Sequence, residues 1–119
     1  MLFRAEALRE VGSFDASYFM YGEDVEWSVR ATRQGWRLLH VPEARLLHAV
    51  PHPEPPPAAW KIRLRDRNRR RLVRAHFGVR DRWRFACWFY PTRVVRLAQY
   101  LFAGDRSRAR AVLQGMTER

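Results

Sequence analysis

The sequence predicts a mixed α/β chain, with short helices and two or three strands in its first fifty residues and a basic, mostly helical tail after them. Three observations predict it. Apolar residues recur at helical spacing in several windows, two short apolar runs flank a turn at Pro42-Glu43, and the charge changes character near residue 60. Before Trp60 there are six Arg and eight acids; from Trp60 onward there are seventeen Lys and Arg and four acids, giving the net +11 of the 119-residue chain. That length suits one small domain.

Phe3 to Val11 reads as a helix, with Ala7, Leu8 and Val11 at helical spacing and Gly12 as its stop. Ser13 to Tyr21 is an aromatic-rich loop that ends at Gly22. A second helix is expected from Glu23 or Asp24 to Gln34, closed by Gly35. Trp36 to Val41 and Ala44 to Val50 read as two strands. Five prolines between Pro51 and Pro57 then force an extended connector. Three helices follow: Trp60 to Phe77, Asp81 to Ala103 with a break or kink at Pro91, and Asp105 to about Leu113. The segments are thus 1–50, a connector at 51–59, and a basic amphipathic tail at 60–119.

Composition excludes several classes. An apolar content of 47% is too high for a wholly disordered chain. The single Cys87 forbids an internal disulfide or a zinc site built on paired cysteines. Charges at Arg4, Glu6, Arg9 and Glu10 do not fit a secretory leader. Arg82, Arg84, Arg93 and Arg96 interrupt the longest apolar run, so no window reads as a membrane span. Trp83, Trp88, Phe89, Arg93 and Arg96 instead suit a membrane interface, with aromatics in the headgroup boundary and guanidinium groups on phosphates. Packing on a further domain is the other reading of the same residues.

The chemistry-bearing residues lie between Gly12 and His48. Glu23 and Asp24 are adjacent acids at an expected helix N-terminus, where free N–H groups and the dipole favour a carboxylate. Such a carboxylate can act as general base on a hydroxyl, or Asp24 can simply cap the helix. His48 can ligate a metal or end a strand; no HExxH motif or cysteine cluster accompanies it. The run Arg67-Asn68-Arg69-Arg70-Arg71 reads as a solvated cationic face. No P-loop, GxGxxG or GxSxG motif occurs.

Taken in order, Val11-Gly12-Ser13-Phe14-Asp15, Phe19-Met20-Tyr21-Gly22-Glu23-Asp24, Arg30, Gly35-Trp36, Val41-Pro42-Glu43-Ala44 and His48 form a series. It resembles the C-terminal half of family 2 glycosyltransferases of the bacterial rhamnosyltransferase-like kind. The likeness is close to about residue 50 and loose through Arg67-Asn68 and the tail. It implies the C-terminal portion of a GT-A fold and an inverting transfer from a nucleotide-sugar donor to a cell-envelope glycan or glycolipid. Asp24 would be the base, with Glu23 beside it. His48 would help hold a divalent cation (Mg or Mn) at the diphosphate leaving group. Gly12, Phe14, Asp15 and Tyr21 would line the acceptor side.

Glu26 and Trp27 stand where that family has Asp and then Leu or Trp. The family's Asp-x-Asp motif and nucleotide-binding half have no counterpart here, so the chain is expected to be a fragment, inactive alone. The full enzyme would sit on the cytoplasmic face of the cell membrane, bound to anionic lipid, with no nucleic acid expected. A non-enzymatic cationic module that binds anionic lipid or nucleic acid is the rival reading, and it leaves residues 12–48 unexplained.

Overall fold

The computed structural model describes residues 1–47, 49 and 56–118. Five α-helices are found among them: α1 Ala5–Val11, α2 Glu23–Arg33, α3 Ala59–His76, α4 Val79–Phe102 and α5 Arg106–Thr117. A 3-10 turn, Ala16–Tyr18, lies in the α1–α2 loop. Helix positions follow the apolar spacing closely.

The helices form two packed groups joined through α3. In the first, α1 and α2 bury Ala7, Val11, Trp27 and Ala31, with Phe3 and Trp36 at the margins. Phe3 meets Trp27 edge-on, with centroids 4.7 Å apart, and Phe14 closes the same aromatic cluster. The end of α2 explains how Trp36 arrives there. Gly35 takes φ 87°, its N–H donates to Thr32 O and the Trp36 N–H donates back to Ala31 O. This closure reverses the chain and lays the indole on the core, where its Nε1 donates to Glu10.

In the second group α5 packs on both α3 and α4. Ile62, Ala111 and Val112 form its apolar centre, flanked by Leu97, Tyr100 and Met116. Beside this centre lies a buried ion pair, Arg93 Nη1 to Asp66 Oδ1 at 2.8 Å. Burial cancels much of what such a pair gains, so its use is to fix the relative position of α3 and α4; breaking one partner away is the costly event. Arg70 is also buried and donates to the carbonyls of Gly115 and Glu118, where the end of α5 presents unpaired oxygens.

The structure corrects the α/β expectation. Among the described residues there is no strand. Residues 36–41 and 44–47 lie outside any helix or strand around the turn at Pro42-Glu43, and Leu38, Leu39, Leu46 and Leu47 are exposed. The alternation of apolar residues reported a side-chain preference, whereas a strand exists only when a neighbouring backbone pairs with it. No such neighbour is present among the described residues. Two smaller corrections concern prolines. α4 runs through Pro91 without ending, and α3 already opens at Ala59, inside the expected connector. The α4 interior tolerates Pro91 while the Thr92 hydroxyl donates to Trp88 O and Phe89 O, adding side-chain hydrogen bonds at that turn. Residues 51–55 of the connector lie outside the described residues.

The α3–α5 crossing depends on Gly115. A Cβ there would stand 2.8 Å from Asp66 Cβ and 3.1 Å from Arg63 O. Alanine improves an exposed helix by about 1 kcal/mol over glycine. Gly115→Ala should nonetheless destabilise the chain by about 1–3 kcal/mol through overpacking. Thermal unfolding followed at 222 nm checks it, and a raised Tm would contradict the close crossing.

Candidate functional site

The acid pair opens α2, and its position depends on an unusual loop. Phe19 takes φ 57°, ψ −56°, with the Met20 N–H donating to Tyr18 O, which is a γ-turn of the rare, strained hand. Tyr21 also has positive φ, at 69°, and Gly22 follows at 95° as the residue that precedes the helix. Non-glycine residues in such conformations cost on the order of 1–3 kcal/mol each and persist only when their surroundings hold them.

Asn68 holds them. It lies on α3, 1% exposed, and its Nδ2 donates to the carbonyls of Tyr18, Met20 and Tyr21 at 2.8, 2.8 and 2.9 Å. Arg67 receives no such burial but donates to Ser17 O and to the Asn68 Oδ1, which orients the amide. Arg71 reaches Asp15 at 3.5 Å and stands over the Tyr18 ring. The Arg67–Arg71 run is therefore the seat of the loop, and the solvated-face expectation is corrected: Asn68 and Arg70 are buried.

A second polar group ties α2 to its neighbours. Arg30 donates to Val11 O and Ser13 O and pairs with buried Glu26 at 2.8 Å, while Trp27 Nε1 donates to Gly12 O. His76, at the end of α3, bridges Glu26 and Arg33: Nδ1 accepts from Arg33, so Nε2 carries the proton given to Glu26 at 3.0 Å. Arg33 also donates to the His76 carbonyl. Glu26 is thus a structural hub, consistent with a non-catalytic reading of that position.

The expected site residues separate into distinct roles. Asp24 is exposed and lies within the first turn of α2, one residue inside the helix, with Oδ1 accepting from Val25 N–H at 2.8 Å. Gly22 is the N-cap, and Asp24, inside the helix, instead satisfies a free first-turn N–H. Glu23 is half-buried, and its Oε2 is enclosed without a hydrogen-bond partner among the described residues. The adjacent acids accordingly differ: Asp24 is the accessible one. Asp15 caps the 3-10 turn by accepting from Ser17 N–H at 2.9 Å and from the Ser17 hydroxyl. Those two donors, helped by Arg71 and Arg30, hold its carboxyl below the ordinary 3.8. Burial, with Glu26 nearby, pushes the Tyr18 phenol up. Gly12, Phe14 and Tyr21 also shape this loop, through the Trp27 bond, the aromatic cluster and the Asn68 clamp. Both rings keep an exposed edge.

His48 lies outside the described residues. Among those described, no three His, Cys, Asp or Glu side chains converge as a metal site. On the tail, Trp83, Trp88 and Arg96 are exposed, while Phe89 is fully buried and Arg93 is committed to Asp66. For those two the interfacial expectation is corrected: the i, i+4 stripe Phe85–Phe89–Arg93–Leu97 turns inward. No described helix is long and apolar enough to cross a membrane.

The loop clamped by Asn68 thus leads into a helix whose first turn carries an accessible carboxylate, Asp24. The family model for glycosyl transferase family group 2 matches residues 1–113, and the chain belongs to that family. Over 52 residues it is 44% identical to the N-acetylglucosaminyl-diphospho-decaprenol L-rhamnosyltransferases of Mycobacterium tuberculosis strains CDC 1551 / Oshkosh and ATCC 25618 / H37Rv. That stretch is 44% of this chain and 17% of the length of each relative. No solved structure matches the chain.

The clamp missed in the sequence left one signal, an Asn in mid-helix among arginines, where its helix propensity is poor. Asn68→Ala should cost about 2–3 kcal/mol, because three carbonyls lose their donor. Hydrogen exchange should show the 18–25 amides opening more readily; unchanged protection there would remove the clamp. Asp15 supplies a pH test. Its depressed folded pKa means that its contribution is present above about pH 4 and is lost as pH falls through the folded value. The stability difference between wild type and Asp15→Asn should therefore be constant near neutrality and shrink below pH 4 in acid-unfolding titrations.

Proposed function

We propose that this chain forms the acceptor side of an inverting sugar transfer, from a nucleotide-sugar donor to a hydroxyl of a cell-envelope glycan or glycolipid. The observation that carries this reading is Asp24. Its Oδ1 rests on the Val25 amide, which leaves Oδ2 to take the proton from an acceptor hydroxyl as that oxygen attacks the sugar's anomeric carbon and the nucleotide diphosphate departs. Glu23, turned inward, supports the local geometry rather than meeting the substrate. Phe14 and Tyr21, both partly exposed, offer aromatic surface to a sugar. The relatives' name, which joins a rhamnosyl group to a lipid-linked diphosphate sugar, fits an acceptor of that class.

The described donor set does not by itself fit a divalent cation, which would need ligands outside the described residues, so no step is drawn through it. The tail supports work at an anionic membrane surface. Trp83, Tyr90, Val94 and Leu101 recur on one face of α4 and are all exposed, with Arg80 and Arg84 near them and Arg96 also exposed.

In the enzyme that contains this chain, Asp24→Asn should lower turnover by about 10²–10⁴-fold, the usual worth of a positioned base. Donor binding, measured by calorimetric titration with a nucleotide sugar, should change little. Near-normal turnover would remove Asp24 from the mechanism.

A further inference from the structure

Two clefts on the tail are lined by arginines, and they differ in how far those arginines are already engaged. The cleft of about 290 Å³ is bordered by Arg67, Arg70, Arg71 and Arg74. Three of these are committed, to Ser17 O, to the α5 carbonyls and to Asp15. The other cleft, of about 420 Å³, opens between the first turns of α3 and α5 and is lined by Trp60, Arg63, Arg106, Ser107, Arg110 and Gln114. Arg106 and Arg110 are exposed and make no ion pair or side-chain hydrogen bond with any described residue. Arg63, opposite, reaches Glu118 alone among the described residues, at 3.3 Å.

Arg106 and Arg110 are four residues apart on one helix face, so their charges oppose each other, and Arg63 adds a third across the groove. Arg63 is offset by Glu118, whereas Arg106 and Arg110 meet no acid among the described residues. The Ser107 hydroxyl and Gln114 amide add neutral donors. A dense set of donors with little acceptor capacity suits an anion rich in acceptor oxygens, and guanidinium forks match phosphate in pairs.

The surroundings narrow the class further. Trp60, half-exposed, lines the cleft together with Ala59 and Ala111. An indole beside free cations fits a phosphate that carries a hydrocarbon chain. We propose that this cleft is a binding site for a phosphate or diphosphate group. It lies on the tail, apart from the acid pair, and stands whether or not Asp24 is the base.

The test uses the full chain with inorganic pyrophosphate in calorimetric titration, and phosphatidylcholine vesicles with and without phosphatidic acid in flotation. Arg106→Gln/Arg110→Gln should weaken pyrophosphate binding by about tenfold or more. The control pair Arg37→Gln/Arg45→Gln removes the same charge from exposed positions outside the tail and should change it by about twofold or less. Far-UV circular dichroism should match across all three proteins. Retention on phosphatidic acid vesicles, displaced by pyrophosphate and lost in the cleft pair, supports the site with a lipid-borne phosphate; pyrophosphate binding without vesicle retention supports it with a free one. Equal loss in both pairs, or no pyrophosphate binding at millimolar concentration, would overturn it.

Discussion

One side-chain amide holds the candidate site in shape. The segment that delivers Asp24 includes two non-glycine residues in costly left-handed or γ-turn geometry, with the Met20 N–H bond to Tyr18 O closing the turn. The compensation comes from a helix some fifty residues away in sequence, where Asn68 offers its N–H groups to three carbonyls at once. An amide has only two such hydrogens, so one is shared. The loop, α3 and the start of α2 therefore form a single structural unit, and the accessible carboxylate is only as well placed as the packing behind Asn68.

That packing makes α3 the central element. Its buried residues include Asp66, Asn68 and Arg70 as well as Ile62 and Leu64, an unusual burden of polarity for a helix in a chain this small. Each polar residue has a separate partner: Asp66 positions α4, Asn68 the α1–α2 loop, and Arg70 the end of α5. Apolar area gives cohesion without direction, whereas these hydrogen bonds fix which surfaces meet. Glu26, with Arg30 and His76, performs the same service between α2 and the end of α3.

Much of this could be read in the sequence, though unevenly. Helix positions followed from spacing and from Gly12 and Gly35 as stops, because these are local properties, though the last helix runs on from Leu113 to Thr117. The ordered motifs from Gly12 to Asp24 pointed to the glycosyltransferase family, which the comparisons show. Pairing was not legible. Residues 36–47 have the composition of strands, yet no backbone among the described residues pairs with them. Nor did Phe89 and Arg93 betray that they face inward, since their neighbours Trp88 and Arg96 are chemically alike and face out. Asn68 was hidden for the same reason: which arginines and amides are buried depends on the crossing of α3 with α5, a long-range fact.

The locks on the α1–α2 loop share one further property. Trp27, Arg30, Arg67 and Asn68 all bind main-chain oxygens, those of Gly12, Val11, Ser13, Ser17, Tyr18, Met20 and Tyr21. Every amino acid supplies that oxygen. The side chains at several of these positions are thus released from any duty to the fold, and they can vary while the carboxylate stays where it is. A scaffold of this kind separates evolvability from stability: the loop surface can be refitted by changing residues whose backbones, not side chains, bear the structure.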